Sequence, residues 1–431
     1  MKTTCVAVAI AVLATGCTGS ARPVSNASPH PRSTAAREVL FGFDSSVGEG
    51  ADVEGTRLVR LDPVSLRPLV FSTLRLGDTT TGHVSSPDHN SLALGTMNDR
   101  QIVVVDLVGY RVAARYTVAR PASFGWPPGV FAVAWPRADR LVAYTEPFAA
   151  HVAYPARLVV IDPAAHRVVR TEPLGGSVVA TAALPGNRTG FLVAAVDRAR
   201  PARLVIVEPD GRSRAVTLPE TAAGPSDAPA VAVVGEDVYV VGDSDRVAVV
   251  DPASGRVAYH AVPGLLADRV PDGPPVEPGS GGIMSADYRS AGSLGPGLLA
   301  VGGYQVRPAR HATENQSTVL SEQIVDTKTW TVRRTLHGVV DVVAAHGLYY
   351  CWVGTALFRP SVLVALRPDG TVAFRRTTPD AGWQISAGRL FETRGDAGDR
   401  ELDPLTGRVL HRVSLPGGDP VDLLPWTAPA T

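Results

Sequence analysis

One short pattern recurs along the chain and restricts its fold more than any other feature. It is a β-branched run, a tight corner and a second apolar run, as in "VAVVDPASGRVAY" at 247–259. The same pattern reads "LVRLDPVSLRPLV" at 58–70, "IVVVDLVGYRVAA" at 102–114, "LVVIDPAAHRVVR" at 158–170 and "LVIVEPDGRSRAV" at 204–216. It returns as "SEQIVDTKTWTVRRT" at 321–335, "VLVALRPDGTVAF" at 362–374 and "DRELDPLTGRVLH" at 399–411. The corners begin at Asp62, Asp106, Asp162, Glu208, Asp251, Asp326, Arg367 and Asp403. An aspartate that bonds its own backbone two residues on, a proline that presets φ and a glycine for the left-handed position make a tight turn. Each copy is therefore expected to be a β-hairpin.

Successive corners lie roughly 40 to 50 residues apart, the interval a four-stranded propeller blade requires. The interval from Asp251 to Asp326 is longer. One unit reads in full, with strands expected at 82–86, 91–96, 101–105 and 111–118 and a "PDHN" turn after the first. The expected fold is all-β: a single β-propeller of four-stranded antiparallel blades, eight in number, with seven as the alternative. "EVLFGFD" (38–44) lacks an inner partner, which "DPVDLLPW" (419–426) can supply, so the two ends would share one blade. A closed ring removes exposed sheet edges. The repeats resemble those of the bacterial YVTN-type and quinoprotein-like propellers, "ELDPLTGRVLH" and "VVDPASGRVAY" most closely. The resemblance spans 38–426 and implies a scaffold. The position after "TGRV" holds Leu410 instead of an aromatic, so it does not carry over a quinone cofactor.

The first residues, "MKTTCVAVAIAVLATGCTGS", place Lys2 before an apolar run from Val6 to Leu13. That run is shorter than the ~20 residues a bilayer span needs, and the layout is that of a secretory signal over 1–16. "LATGC" resembles a bacterial lipobox, which implies acylation of Cys17. Residues 17–37 are then a lipidated cysteine and a tether, rich in Ser, Pro and Ala, that cannot fold alone. The propeller occupies 38–426 and a tail 427–431. These readings place the protein on the outer face of the cytoplasmic membrane through its lipid anchor, with secretion after ordinary cleavage as the alternative. Beyond Cys5 and Cys17 the only cysteine is Cys351, in "LYYCWVG", so no internal disulfide forms and Cys351 reads as a small buried hydrophobe. Lys plus Arg and Asp plus Glu both total 41, which leaves no basic footprint for nucleic acid. A monomer is expected.

In an up-and-down blade the corners all lie at one end of the ring. The long irregular connections fall at the other, where binding residues usually sit. Two clusters stand out there: Phe124, Trp126, Phe148, His151 and Tyr154, and Tyr288, Tyr304, Arg307, Arg310 and His311. Aromatics beside a histidine suit a glycan or peptide, and paired arginines an anion. The starts of the inner strands carry His83, Asp287, Asp341, Gln384 and Asp422, a set that would sit around a channel mouth. Serine-hydrolase, zinc-protease, nucleotide-loop and CxxC motifs are absent, and no catalytic residue, metal ligand or cofactor is assigned. The leading expectation is a non-catalytic binding or assembly platform for a protein, peptide or envelope glycan. The alternative is a metal-dependent lactonase- or lyase-like enzyme built on the channel-mouth residues.

Overall fold

In the computed structural model of the chain, the described residues are 38–44, 57–70, 74, 76, 80–96, 100–118, 128–147, 156–194, 201–222, 227–265, 286–308, 315–354, 362–378, 382–386, 388–393, 399–413 and 420–427. They form eight sheets and no helix long and apolar enough to cross a membrane. Sheet 1 joins Glu38–Asp44, Arg57–Leu61 and Pro68–Val70 to Pro420–Thr427. Sheets 2, 3, 4 and 5 run in chain order through 80–117, 128–173, 177–222 and 230–261. Sheets 6, 7 and 8 span 286–336, 339–377 and 382–413. The full unit expected in sheet 2 is present as Thr80–Ser85, Ser91–Thr96, Gln101–Asp106 and Arg111–Thr117.

Seven of the sheets have four strands, and sheet 6 departs from that expectation with six. Its second strand, Leu298–Pro308, is long enough to pair first with Asn315–Val319 and then with Glu322–Asp326. A short strand, Asp227–Ala228, also lies parallel to its first, Ala286–Gly295. Tyr304 and Arg307, expected in a loop, are therefore strand residues. The alternating "YQVRP" continues the pleat that "LLAVGG" begins.

Burial follows strand position. Second and third strands are buried on both faces, as in Ser91–Thr96 and Gln101–Asp106, which explains their unbroken Val/Leu/Ile runs. Fourth strands alternate between exposed and half-buried, as in Arg111–Thr117 and Thr331–Leu336. The core is consequently a series of layers between neighbouring sheets. Leu92 and Leu94 pack toward sheet 1, whereas Ala93 of the same strand packs toward sheet 3. Equivalent layers lie between each later pair of consecutive sheets up to sheets 7 and 8.

The corners fall into two classes. At Asp62, Asp106, Asp251, Asp326 and Asp403, Oδ1 accepts from the backbone N–H groups two and three residues on, at 2.7–3.2 Å. Asp162 accepts only from Ala165 N–H. These bonds lead in holding the Asp62 and Asp403 carboxyls below the usual range; at Asp251 the Ser254 hydroxyl leads, and at Asp326 the Arg333 guanidinium leads and brings the value to about 2. The corners at Glu208 and Arg367 are one residue shorter and differ from the expected alignment. There the turn-capping carboxylates are Asp210, bonded to Arg212 N–H, and Asp369, bonded to Thr371 N–H.

In the longer class the fifth corner residue takes positive φ, yet only Gly255 and Gly407 are glycines. Leu66, Tyr110, His166 and Trp330 occupy the same position at φ 50–56°. Three of them use the side chain this costs. Leu66 is buried, the Tyr110 hydroxyl donates to Leu58 O in sheet 1, and Trp330 stacks on His260 of sheet 5 at 4.1 Å. His166 alone is exposed.

A second regularity ties most of the corners to the preceding sheet. Arg60 Nη2 donates to Leu107 O (3.0 Å), Arg140 Nε to Asp210 O (3.1 Å), Arg214 to Pro252 O and Tyr350 Oη to Pro404 O (2.7 Å). Tyr239 of sheet 5 bonds the Thr327 side chain in the corner of sheet 6. Between sheets 8 and 1 the bond is Arg389 Nη1 to Pro63 O, at 2.7 Å.

Two expectations follow. Arg389 also forms a two-pronged pair with Glu401, at 2.7 and 2.6 Å, and Glu401 is only 6% exposed. Arg389→Ala strands that carboxylate, so urea unfolding should show a loss of roughly 3 kcal/mol, and Arg389→Lys should recover less than half of it. His166→Gly should raise stability by about 0.5–1 kcal/mol by relieving the left-handed position, whereas His166→Ala should leave it within a few tenths.

Candidate functional site

Opposite the corners, the end of sheet 6 carries an unusual row of side chains. Its first two strands pair Tyr288 with Tyr304, Asp287 with Gln305 and Ser290 with Gly302. Val301 pairs with Gln323 on the third strand, which sets Gly302 beside Glu322. A Cβ at Gly302 would overlap the Glu322 carboxylate. With none there, Glu322 reaches across the glycine and accepts the Ser290 hydroxyl at 2.9 Å. Gly303 has φ 146°, and a Cβ there would strike the Tyr288 carbonyl. The "GGY" stretch thus serves close approach within a sheet, as glycines inside strands often do.

Glu322 is 1% exposed, and its pKa lies well above the ordinary carboxyl value. Burial is the main cause, and the nearby Asp341 of sheet 7 adds to it while the Ser290 bond opposes it. Asp341, at the start of sheet 7, is also raised by burial, against the bond from Val342 N–H. Cys351 lies beside them, 1% exposed, its thiol pushed up to about 12 by burial first and then by Glu322. That environment suits a packed hydrophobe and opposes a thiolate nucleophile.

The same end of other sheets repeats the theme. Burial lifts Glu146 of sheet 3 to about 7, against bonds from the Ser177 hydroxyl and Val178 N–H. Glu392 of sheet 8 is fully buried between Arg376 Nε of sheet 7, at 2.5 Å, and Arg400 Nη1, at 3.6 Å. Asp287, 4% exposed, accepts from Gln305 Nε2 at 3.1 Å. Tyr288 and Tyr304 stack at 4.5 Å with planes 15° apart, and burial raises both phenols.

Of the residues singled out in the sequence, His83, Asp287, Asp341, Gln384 and Asp422 all lie on the first strand of their sheets. His83 faces Leu94 across the ladder and Gln384 faces Phe391. The structure brings Asp341 to Glu322, but among the described residues no three His, Cys, Asp or Glu side chains converge as a metal set. For Arg307 and Asp422 only the strand position is described. Cys17, Phe124, Trp126, Phe148, His151, Tyr154, Arg310 and His311 lie outside the described residues. Sequence reasoning missed Glu146, Glu322 and Glu392. The available signal was a charged residue interrupting a doubly buried strand, as in "SEQIVD", and for Glu322 the paired glycines on the neighbouring strand.

Comparison with known proteins gives an architecture and no family. No protein-family profile matches the sequence, and no curated protein matches it. Among solved structures, the dihydro-heme d1 dehydrogenase NirN in complex with DHE matches with a TM-score of 0.57 at 11% identity, over 94% of this chain and 78% of that one. Apo AztD from Citrobacter koseri matches with a TM-score of 0.51 at 12% identity, over 93% and 100%. Sqt1 from Saccharomyces cerevisiae matches at 0.50 and 9% identity, over 78% and 85%. The fold is a β-propeller. In all, 922 solved chains resemble this one, so the propeller selects no activity by itself.

The raised carboxyls give a pH signature. Glu146 and Glu322 hold a proton in the folded state that the unfolded chain releases near pH 4.5. Their contribution is full below that pH and is lost as pH rises through each raised folded value, about 7 for Glu146. The corner aspartates act oppositely, contributing above pH 3.8 and losing that contribution as acid protonates them. The urea midpoint should therefore peak in mild acid and fall toward pH 7.5. The double variant Glu146→Gln/Glu322→Gln should flatten the fall without altering the acid limb.

Proposed function

We propose that the protein is a membrane-anchored extracytoplasmic lipoprotein whose propeller is a non-catalytic binding or assembly platform for a protein, peptide or envelope glycan. In this reading the eight sheets are eight blades of one closed ring. The strands Glu38–Asp44 and Pro420–Thr427, paired in register from Glu38 opposite Thr427, complete the first blade. The Arg389 bond to Pro63 O, bridging residues 326 positions apart in sequence, supports that closure.

The observation that carries the platform reading is the contrast between the two ends of the blades. At one end every connection is a short corner, capped by its own aspartate or held by a side chain of the neighbouring blade. The long connections join the strands at the other end, among them the one that follows Ala261 and re-enters at Ala286, two residues before Tyr288, which stacks on Tyr304. Rigid scaffolds that display long segments at one end commonly bind through them.

Two experiments test the two halves. Replacing the acylated residue, Cys17→Ser, should move the protein from the membrane fraction into the medium; retention on membranes would remove the anchor from the proposal. For the platform, partners crosslinked to the full chain in intact cells should be lost when residues 264–282 are deleted and kept after Lys328→Glu in a corner. Equal capture by both variants would place recognition elsewhere.

A further inference from the structure

The corner end is not uniform. The third residue of each corner is its tip, exposed except at half-buried Asp210, and around most of the ring it is small or charged: Ala164, Asp210, Ala253, Lys328 and Asp369. In three consecutive blades it is aliphatic. Leu405 of blade 8 is 58% exposed, Val64 of blade 1 is 69% exposed and Val108 of blade 2 is 51% exposed. Leu69 and Leu410, on the outermost strands of blades 1 and 8, extend the patch at 52% and 48%. Between those two blades lies a groove of about 570 Å³, lined by Val64 to Arg67 and Leu410 to Arg412. Exposed aliphatic tips on successive blades are costly in water, and a contiguous set of them marks an interaction surface.

The charges that line the groove are of one sign. Arg67, His411 and Arg412 line the groove, Arg408 stands next to it, and no acidic side chain is among the described lining residues. The nearby Asp62 and Asp403 are turned into their own corners, where backbone N–H groups hold them.

Chain direction supplies the third observation. In blade 1, Leu40 pairs with Leu61 at the corner end and Asp44 with Arg57 at the far end, so Glu38 enters from the corner side. The preceding chain, with Cys17, therefore departs from the end that carries the aliphatic tips, in the blade at the centre of the patch.

We propose that this patch is a membrane-contact face that rests on an anionic bilayer surface. Val64, Val108 and Leu405 enter the headgroup boundary, and Arg67, Arg408 and Arg412 meet the lipid phosphates. Aliphatic tips ringed by cations and set beside the chain's entry fit a lipid surface, which combines shallow apolar depth with negative charge. The proposal deepens the anchored-platform reading, because it points the long connections of the opposite end away from the membrane.

The test uses the full chain carrying Cys17→Ser, so a failed anchor and a failed contact face remain distinguishable. With Cys5→Ser added, buried Cys351 and its raised thiol pKa leave an engineered surface cysteine as the preferred site for an environment-sensitive dye. Labels at Val64→Cys and Leu405→Cys should shift to the blue on phosphatidylglycerol vesicles. A label at Ala253→Cys, in a corner outside the patch, should not. Apparent affinity should be at least tenfold weaker for phosphatidylcholine vesicles and for the Arg67→Glu/Arg412→Glu variant. No shift at either position, an equal shift at all three, or indifference to lipid charge would overturn the proposal. Competition in which an acidic peptide displaces the protein from vesicles less effectively than 0.5 M salt would support it. Tight peptide binding with no vesicle binding would instead assign the groove to a protein partner.

Discussion

Most corners of this propeller surrender a backbone oxygen, or a side chain, to the sheet before them, and the architecture depends on that exchange. A short turn leaves carbonyls pointing away from its own hairpin, and an arginine or tyrosine from the preceding blade takes one of them. The apolar layers between sheets are non-directional and would tolerate sliding, as burial depends on area and not on alignment. A hydrogen bond to one carbonyl does not tolerate it. The bonds therefore set the spacing and rotation of each blade against the next, while the layers supply most of the stabilisation. Arg389 acts at the junction where the chain begins and ends, and anchors its other face on buried Glu401.

Much of the scaffold was legible because its determinants are local. In "DPASG" the aspartate, the turn and Gly255 at φ 76° lie within five residues, so the hairpin can be read directly. Where the fold relies on pairing between distant segments, the sequence carried no comparable mark. The parallel strand Asp227–Ala228 lies roughly sixty residues before its partner, and two residues leave no periodicity to detect. The shift of the capping role from Glu208 and Arg367 to Asp210 and Asp369 was hidden by an alignment that matched positions instead of turn lengths. Leu66, Tyr110 and Trp330 show why glycine was an incomplete guide: a side chain that packs well can occupy a left-handed position.

The buried carboxylates were legible only in part, for a different reason. Glu322 looks like a misplaced charge until Ser290 and Gly302 are brought beside it from other strands. Five acidic groups at the end opposite the corners, Glu146, Asp287, Glu322, Asp341 and Glu392, are buried in distinct ways: with hydroxyl and amide donors, with a glutamine, with a serine, with a backbone amide, and between two arginines. Polar groups at such depth require partners, and each partner fixes a strand register. That end of the sheets is built partly on these buried carboxyl groups, of which Glu146 and Glu322 favour the protonated form.

The pairing of Glu38–Asp44 with Pro420–Thr427 also has a temporal meaning. A ribosome makes the first of these strands early and the second only after every other blade has been synthesised. Until then the open side of Glu38–Asp44 is an edge without its neighbour, and a closed ring of the kind proposed would have no way to shut. Under the proposed extracytoplasmic location, a chain exported as an extended thread would benefit from such a delay, because the ordered state is withheld until almost all of the polypeptide is available to form it.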